Sequence, residues 1–421
     1  TTIVNNGSQT GFGRTGTVNW DTTPKTSTVT AANGVGYFVD TTSGAISVNL
    51  PAGVAGAIVG ISDYASTFQT NNLTVSPNGT EKINGVNDDA ILSTQGIAVS
   101  LVYVDATRGW KSVTGSDNDT TGVIPSAFVV ATGGTITCSG DYKIHTFTGP
   151  GTFCVSEAGT PLGSNTVDYL VVAGGGSGGG RYGGGGGGGG YRESSGAASG
   201  SYTRSPLGAC VAALAVPATS YPITIGGGGA GATPGTPQDG VKGNNSIFST
   251  ITSAAGGGGS TCNSPTGTVS PVAPGGSGGG ARYYQGVGGT GNTPPVSPPQ
   301  GQPGGAGSPP GTAGNYPSGG GGGATEAGAD GGPGPSPSGR GGAGATTSIS
   351  ASPTAYAGGG GGGGYTPGGN LYGAASPCGT GGTGNATAGT TNRGGGGGAT
   401  NTCGTGGAGG SGIVIIRYKF Q

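Results

Sequence analysis

Side chains able to do acid–base or nucleophilic chemistry are sparse in this sequence. His145 is the one histidine of 421 residues, and it sits in an alternating stretch, 142–147, that reads as an ordinary strand. General acid–base catalysis needs a group held in a cleft with a tuned pKa. The nearest paired carboxylates, Asp88 with Asp89 and Asp117 with Asp119, fall in turn-like sequence instead. The second pair, within SDNDTTG, resembles part of a calcium loop but lacks the glutamate that closes an EF-hand, so a plain linker is the simpler reading. No glycine run ends in Gly-Lys-Ser or Gly-Lys-Thr, so none is a phosphate loop. These residues predict a protein that is not an enzyme and holds no cofactor or metal.

The six cysteines are Cys138, Cys154, Cys210, Cys262, Cys378 and Cys403, and no two have the Cys-x-x-Cys spacing of a zinc site. Cys138 and Cys154 fall in strands of one small unit and form the first candidate disulfide. Cys210 with Cys262 and Cys378 with Cys403 come behind it. An oxidising exterior favours such bonds, whereas assembly inside a reducing cell opposes them.

Recognition chemistry has more to stand on. Tyrosine and arginine gather at the ends of glycine runs: Arg181-Tyr182, Tyr191-Arg192, Arg282-Tyr283-Tyr284, Tyr316, Tyr356, Tyr365 and Tyr372. These residue types dominate binding hot spots, and tyrosine suits the flat faces of sugars. Arg181, Tyr182, Tyr191, Arg192, Arg282, Tyr283 and Tyr284 are therefore the candidate ligand-binding residues. Tyr191, Arg192, Arg282, Tyr283 and Tyr284 are expected to meet at one end of the glycine region. A plainer reading makes the rings caps that keep the runs from slipping. Arginine beside glycine is also a feature of RNA-binding segments. With 7% charged residues and a net charge of −1, the chain carries no electrostatic footprint for nucleic acid.

Glycine must position these side chains. The chain holds 107 glycines, concentrated after residue 160, with runs at 183–190, 226–229, 256–259, 278–280, 319–323, 358–364 and 394–398. Collagen demands glycine at every third place, and the eight-residue run breaks that register. Two readings remain. One is a flexible linker, since glycine loses the most entropy on ordering. The other is a bundle of polyproline II-like rods with three residues per turn, in which every N–H and C=O points outward and needs a partner. Without Cβ atoms neighbouring rods can approach and exchange those bonds, and eight residues make a rod of ~25 Å. Sparse charge, the number of runs and the apolar strands that bracket them favour the bundle.

The remainder reads as all-β. Short runs at 26–30, 37–41, 45–50, 57–62, 73–76, 97–105 and 110–114 alternate with turn residues, which predicts a sandwich or small barrel over 1–120 with Tyr103 and Trp110 as its large core or interface residues. A second β-unit spans 121–172, with strands at 128–132, 135–138, 142–147, 152–155 and 168–172, and 412–421 is expected to return to it. Residues 173–411 would form the bundle. The expected fold class is thus all-β: β-sandwich-like N-terminal units followed by a glycine-rich polyglycine-II helix bundle. No apolar run approaches the ~20 residues of a membrane span, so no membrane insertion is expected. The chain begins with Thr1 and contains no methionine, which predicts processing or a longer parent polypeptide.

The segment TVTAANGVGYFVDTTSGAISVNLPAG, followed by NNLTVSPNGTEKING and LVYVDATRGW, resembles a domain of fibre and structural proteins of marine cyanophages. VVATGGTITCSGDYKIHTFTGPGTFCV, with VDYLVVAGGGSGGG and the ending GGSGIVIIRYKFQ, resembles the glycine-rich terminal domain of the same proteins. A looser resemblance is to the long-tail-fibre tip adhesins of T-even-type phages, which stack glycine-rich segments and bind host receptors with the loops between them. The resemblance implies a virion fibre or fibre-tip protein, extracellular, contacting other virion proteins and a host-surface receptor, either a glycan or an outer-membrane protein. It also implies a homotrimer, or a monomeric tip on another trimeric fibre. A purely structural virion fibre, neck or capsid decoration, or an extracellular filament protein, without its own receptor is the alternative. An ice-binding glycine-helix protein would show regular threonine rows, which the inserts lack.

Overall fold

Short stretches of valine, isoleucine and threonine, punctuated by glycine, produce an all-β chain. The computed structural model describes residues 18–113, 128–160, 163–200, 202–208, 211–231, 238–261, 272–284, 286–308, 314–333, 336–402 and 404–421. It divides into two units, Thr1–Ser126 and Ala127–Gln421. The one helical element among the described residues is a 3-10 turn, Pro206–Gly208. No described helix is long and apolar enough to cross a membrane.

The strands of the first unit are β1 (Asn19–Lys25), β2 (Val29–Thr30), β3 (Val35–Val39), β4 (Ile46–Asn49), β5 (Ile58–Asp63), β6 (Leu73–Ser76), β7 (Ala90–Leu92), β8 (Ala98–Asp105) and β9 (Gly109–Ser112). They form two sheets, ordered β1-β3-β5-β8-β9 and β2-β4-β6-β7. Successive strands from β1 to β6 alternate between the sheets and pair in parallel within each. A parallel pair cannot be closed by a tight hairpin; here the return path is a strand of the other sheet. β7, β8 and β9 finish the coil in antiparallel register. Val39, Val48, Ile61, Leu73 and Trp110 fill the core. Trp110 is fully buried and meets Tyr103 edge to face at 5.6 Å, as expected of the two large rings. Gly109 makes the turn into β9 at φ +68, where a Cβ would lie 1.8 Å from the Lys82 carbonyl oxygen.

The second unit contains β10 (Val130–Thr132), β11 (Thr135–Ser139), β12 (Tyr142–Phe147), β13 (Gly151–Glu157), β14 (Thr166–Val172), β15 (Tyr191–Glu193), β16 (Leu214–Ala215), β17 (Ser220–Thr224), β18 (Ser246–Phe248) and β19 (Ile251–Ser253). Two hairpins follow, β20 (Ala345–Thr347) with β21 (Thr354–Tyr356) and β22 (Tyr365–Thr366) with β23 (Gly369–Asn370), and then the last strand, β24 (Ile413–Lys419). One sheet runs β10-β13-β17-β18-β19; the other runs β11-β12-β24-β14-β15, with β16 also on β14. The two apolar strands that bracket the glycine region therefore pair directly, Val172 opposite Ile413 and Asp168 opposite Arg417.

Both strands are apolar at successive positions because both of their faces are buried. Val167, Tyr169, Val171, Val414, Ile416 and Tyr418 join the core shared with Phe153 and Phe248 of the other sheet. Leu170, Val172, Ile413 and Ile415 turn the opposite way, against Ala324, Ile349, Tyr356 and Ala357 of the glycine region.

The glycine runs are ordered rods held by backbone hydrogen bonds that repeat every third residue. In residues 173–181, the amides of Ala173, Gly176 and Gly179 donate to the carbonyls of Gly190, Gly187 and Gly184. Those of Gly174, Ser177 and Gly180 donate to Asn244, Val241 and Gln238, and those of Gly175, Gly178 and Arg181 to Gly410, Gly407 and Thr402. Residues 183–190 behave alike: Gly184, Gly187 and Gly190 donate to Ser260, Gly257 and Ala254, while Gly185 and Gly188 donate to Gly319 and Gly322. Each of these runs thus serves its neighbours in rotation, one bond direction recurring every third residue. The rods approach so closely that a Cβ on Gly186 would lie 2.1 Å from the Gly176 oxygen.

His145 belongs to the sheet core, in keeping with an ordinary strand position. Its Nδ1 lies 2.7 Å from the Gly133 carbonyl and its Nε2 3.0 Å from the Tyr418 hydroxyl. Its ring stacks on Tyr418 and meets Phe153 edge-on. Burial holds its pKa below the ordinary 6.5, and the nearby Lys143 charge adds to that, against the bond to Gly133.

Two expectations follow from this packing. Gly186→Ala should lower the thermal stability of the second unit by at least ~1–3 kcal/mol, whereas Gly227→Ala, whose Cβ would meet nothing closer than 3.7 Å, should leave it nearly unchanged. Equal melting temperatures for the two variants would contradict close rod packing. For His145 the unfolded chain binds more protons than the folded one just below pH 6.5, so its contribution is present above that pH and is lost as pH falls through the lowered folded pKa. Glu193, buried and raised above its ordinary value, works in the other direction, losing its contribution as pH rises from 4.5. The comparison of wild type with His145→Gln isolates the first effect: the stability difference between them should shrink on acidification below pH 6.5.

Candidate recognition surface at the tyrosine end of the glycine rods

The reversal between rods 173–180 and 183–190 is made by Arg181 and Tyr182, at φ 29 and 53. Tyr284, after rod 276–282, is also left-handed, at φ 68. Left-handed backbone costs a residue with a Cβ ~1–2 kcal/mol, and this chain has glycine in abundance. Arginine and tyrosine are thus held at reversals where glycine would be easier.

Five tyrosines converge at this end. Tyr182 lies 6.2, 5.2 and 6.0 Å from the rings of Tyr283, Tyr316 and Tyr365. Tyr283 packs on Tyr284 at 4.7 Å and on Tyr316 at 4.5 Å, and Tyr316 stacks with Tyr365 at 6.3 Å. The Arg181 guanidinium lies 6.0 Å from the Tyr182 ring. Each ring comes from the end of a different rod, apart from the Tyr283-Tyr284 pair. Tyr284 is 52% exposed and Tyr365 36%, while Tyr182, Tyr283 and Tyr316 are half-buried beneath them. Polar groups border the rings: Thr366 donates to Asn315 at 2.5 Å, and Asn370, Tyr372 and Asn401 bond among themselves. Ser318 fastens the platform from below, its hydroxyl bonded to the carbonyls of Tyr182 and Gly363. The arrangement is a fixed aromatic surface with hydrogen-bonding side chains at its margin.

Three of the candidate binding residues are elsewhere. Tyr191 is 1% exposed; its ring fills the core beside Leu170 and Ile413, and its hydroxyl donates to Glu193 at 2.8 Å. Burial pushes the Tyr191 hydroxyl and the Glu193 carboxyl well up and up, respectively. Arg192 lies beside it on β15, opposite Val171. Arg282 is 5% exposed, still inside its rod, with its amide on the Ser260 hydroxyl and its guanidinium 3.5 Å from the Thr261 carbonyl. The expectation that Tyr191, Arg192, Arg282, Tyr283 and Tyr284 form one surface is therefore corrected. The reason is geometric: Tyr182 and Tyr191 flank a single straight run, so they must lie at its opposite ends. That signal was present in the run length itself. Tyr316 and Tyr365 complete the platform, and Tyr356 instead packs in the sheet-end core under Arg393.

The candidate Cys138–Cys154 disulfide is corrected too. Both carry free thiols, because β11 pairs with β12 in one sheet while β13 crosses to the other. Cys138 is exposed, and Cys154 lies 3.4 Å from the Ser220 hydroxyl. Cys378 is likewise free. Cys210, Cys262 and Cys403, with the Asp117/Asp119 pair, lie outside the described residues. Burial pushes the Cys378 thiol up, but hydrogen bonds from Ser376, Thr380 and the Gly344 amide outweigh it and hold the thiol below its ordinary range.

No curated protein matches the chain closely enough to indicate a relative. A family model described as a glycine-rich domain matches residues 146–419, beginning at the end of β12 and finishing with β24. That span holds the rods, the tyrosine platform and the strand pair that joins both ends of the glycine region. Covering well over half of the sequence, the match establishes that the chain belongs to this glycine-rich domain family.

Proposed function

We propose that the protein is a non-enzymatic attachment protein of a phage virion, a fibre or fibre tip, whose tyrosine platform meets the host surface. The observation that carries this reading is the convergence of five tyrosines from four rod ends on one rigid surface. Glycine rods expose little but backbone and cannot distinguish one host from another. Side chains at the rod ends supply that identity, and aromatic rings with bordering amides and hydroxyls suit a glycan or the extracellular loops of an outer-membrane protein. The cyanophage resemblance of both units supplies the virion setting. In that setting the first unit joins the chain to other virion proteins or to two further copies of itself as a homotrimer, and the rods in the second are polyglycine II. A second reading, a structural fibre without a receptor, draws on the same rings: Tyr182, Tyr283 and Tyr316 pack on one another as a cap would.

Replacing the two exposed rings separates the readings. Tyr284→Ala with Tyr365→Ala should reduce particle adsorption to host cells by about tenfold or more, the equivalent of one hot-spot loss, with thermal stability unchanged. Unchanged adsorption, or a large loss of stability, would make the rings structural caps.

A further inference from the structure

We propose that the second unit carries an additional binding site at the end of the rods opposite the tyrosine platform, a cleft that takes a carboxylate-bearing sugar. The cleft measures about 380 Å³, at the small end of ligand sites and the size for one or two sugar rings. Its walls come from three parts of the chain: β15, the β18–β19 hairpin and the proline-rich insert 292–300.

Arg192 is the one charged residue of the lining. Its neighbours on β15, Tyr191 and Glu193, turn inward to the core, which directs Arg192 to the other face. Its guanidinium makes no hydrogen bond or ion pair with a described residue. Thr250, Thr252 and Asn245 surround it with hydroxyl and amide groups. Asn245 engages its carbonyl oxygen with the Ala255 amide at 2.8 Å, so its NH2 is the group offered to a ligand. Ile251, Pro294 and Val296 add an apolar wall for the C–H face of a ring.

The insert is fixed before any ligand arrives. Asn292 accepts from the amides of Val296 and Gln300 and donates to the Val296 carbonyl. Gln300, 1% exposed, donates to the Pro294 carbonyl and accepts from the Ala254 amide, which ties the insert to the end of β19. A wall held this way loses little entropy on binding. A planar fork of N–H donors matches a carboxylate in two-point geometry, and a single guanidinium balances a single negative charge. Hydroxyl and amide neighbours match sugar hydroxyls. A carboxylated hexose has all three features; a neutral sugar lacks the charge.

Calorimetric titration of the full chain with galacturonate and with galactose tests the site. Galacturonate should bind saturably and galactose at least about tenfold more weakly, the usual scale for one charge-assisted pair. Arg192→Gln should weaken galacturonate by about the same factor, and Val296→Trp, which fills the cleft without touching the charge, should abolish binding. The second variant decides the matter should the first fail to fold. Tyr284→Ala with Tyr365→Ala should bind galacturonate as the wild type does, so a failure of the platform and a failure of the cleft are read separately. Equal binding of the two sugars, no saturation, or undiminished binding in Val296→Trp would overturn the proposal.

Discussion

A backbone amide buried between two extended rods needs an acceptor on a neighbouring rod, most often a carbonyl, and a Cβ between the rods would hold them apart. The second unit depends on that constraint. A Cβ on Gly185, Gly321 or Gly396 would lie 2.0 Å from the oxygen of a neighbouring rod. Leaving one such amide unpaired would cost ~1–3 kcal/mol. Glycine therefore acts here as the residue that permits contact, against its usual entropic penalty. Where other residues enter the rods they are small, as at Ser177, Ser277, Ala281, Ala357 and Ala399. Some add a bond of their own: Ser177 accepts from the Val241 amide at 2.7 Å.

Rods with no side chains have no core, and the sheet supplies one. β14 leads into the first rod and β24 leaves the last, and their pairing closes the glycine region on itself. The same face of this sheet carries a buried charge cluster. Asp168 accepts from Ser194 and from the amide and hydroxyl of Ser199 at 2.6 to 2.7 Å. Arg417, opposite Asp168, stacks on Tyr142 at 4.7 Å and Tyr202 at 5.5 Å and donates to the Ile349 carbonyl. Removing one member of such a buried set leaves an uncompensated charge and is strongly destabilising, and Asp168 and Arg417 sit opposite each other on the strand pair that joins the two ends of the bundle.

Much of this architecture was legible in the sequence. Glycine runs too long for collagen, low charge and two bracketing apolar strands were enough to expect rods hung from a sheet. The parallel coil of the first unit was not, because alternation and turn residues locate strands without saying which sheet each joins. The tyrosine cluster was half legible. Tyrosine at run ends pointed to Tyr182, Tyr283 and Tyr284, which do lie together, but run ends come in two kinds, and residue type alone cannot tell them apart. Tyr191 shows the cost: a tyrosine beside glycine becomes a core ring when the next residues form a strand. Arg282 shows another, since the rod continued two residues, Ala281 and Arg282, further than its glycines.

The two ends of the bundle differ in chemistry, tyrosine rings with Arg181 beside them at one, the Arg192 guanidinium among hydroxyls at the other, and the rods keep them apart at a fixed distance. That separation holds only if the rods are ordered. Amide hydrogen exchange resolved to residues 183–190 and 394–398 tests this most directly. Interlocked rods predict protection comparable to that of β14 and β24, because opening any rod breaks bonds to several others. Exchange at the rate of an unstructured glycine chain in those runs would contradict the account.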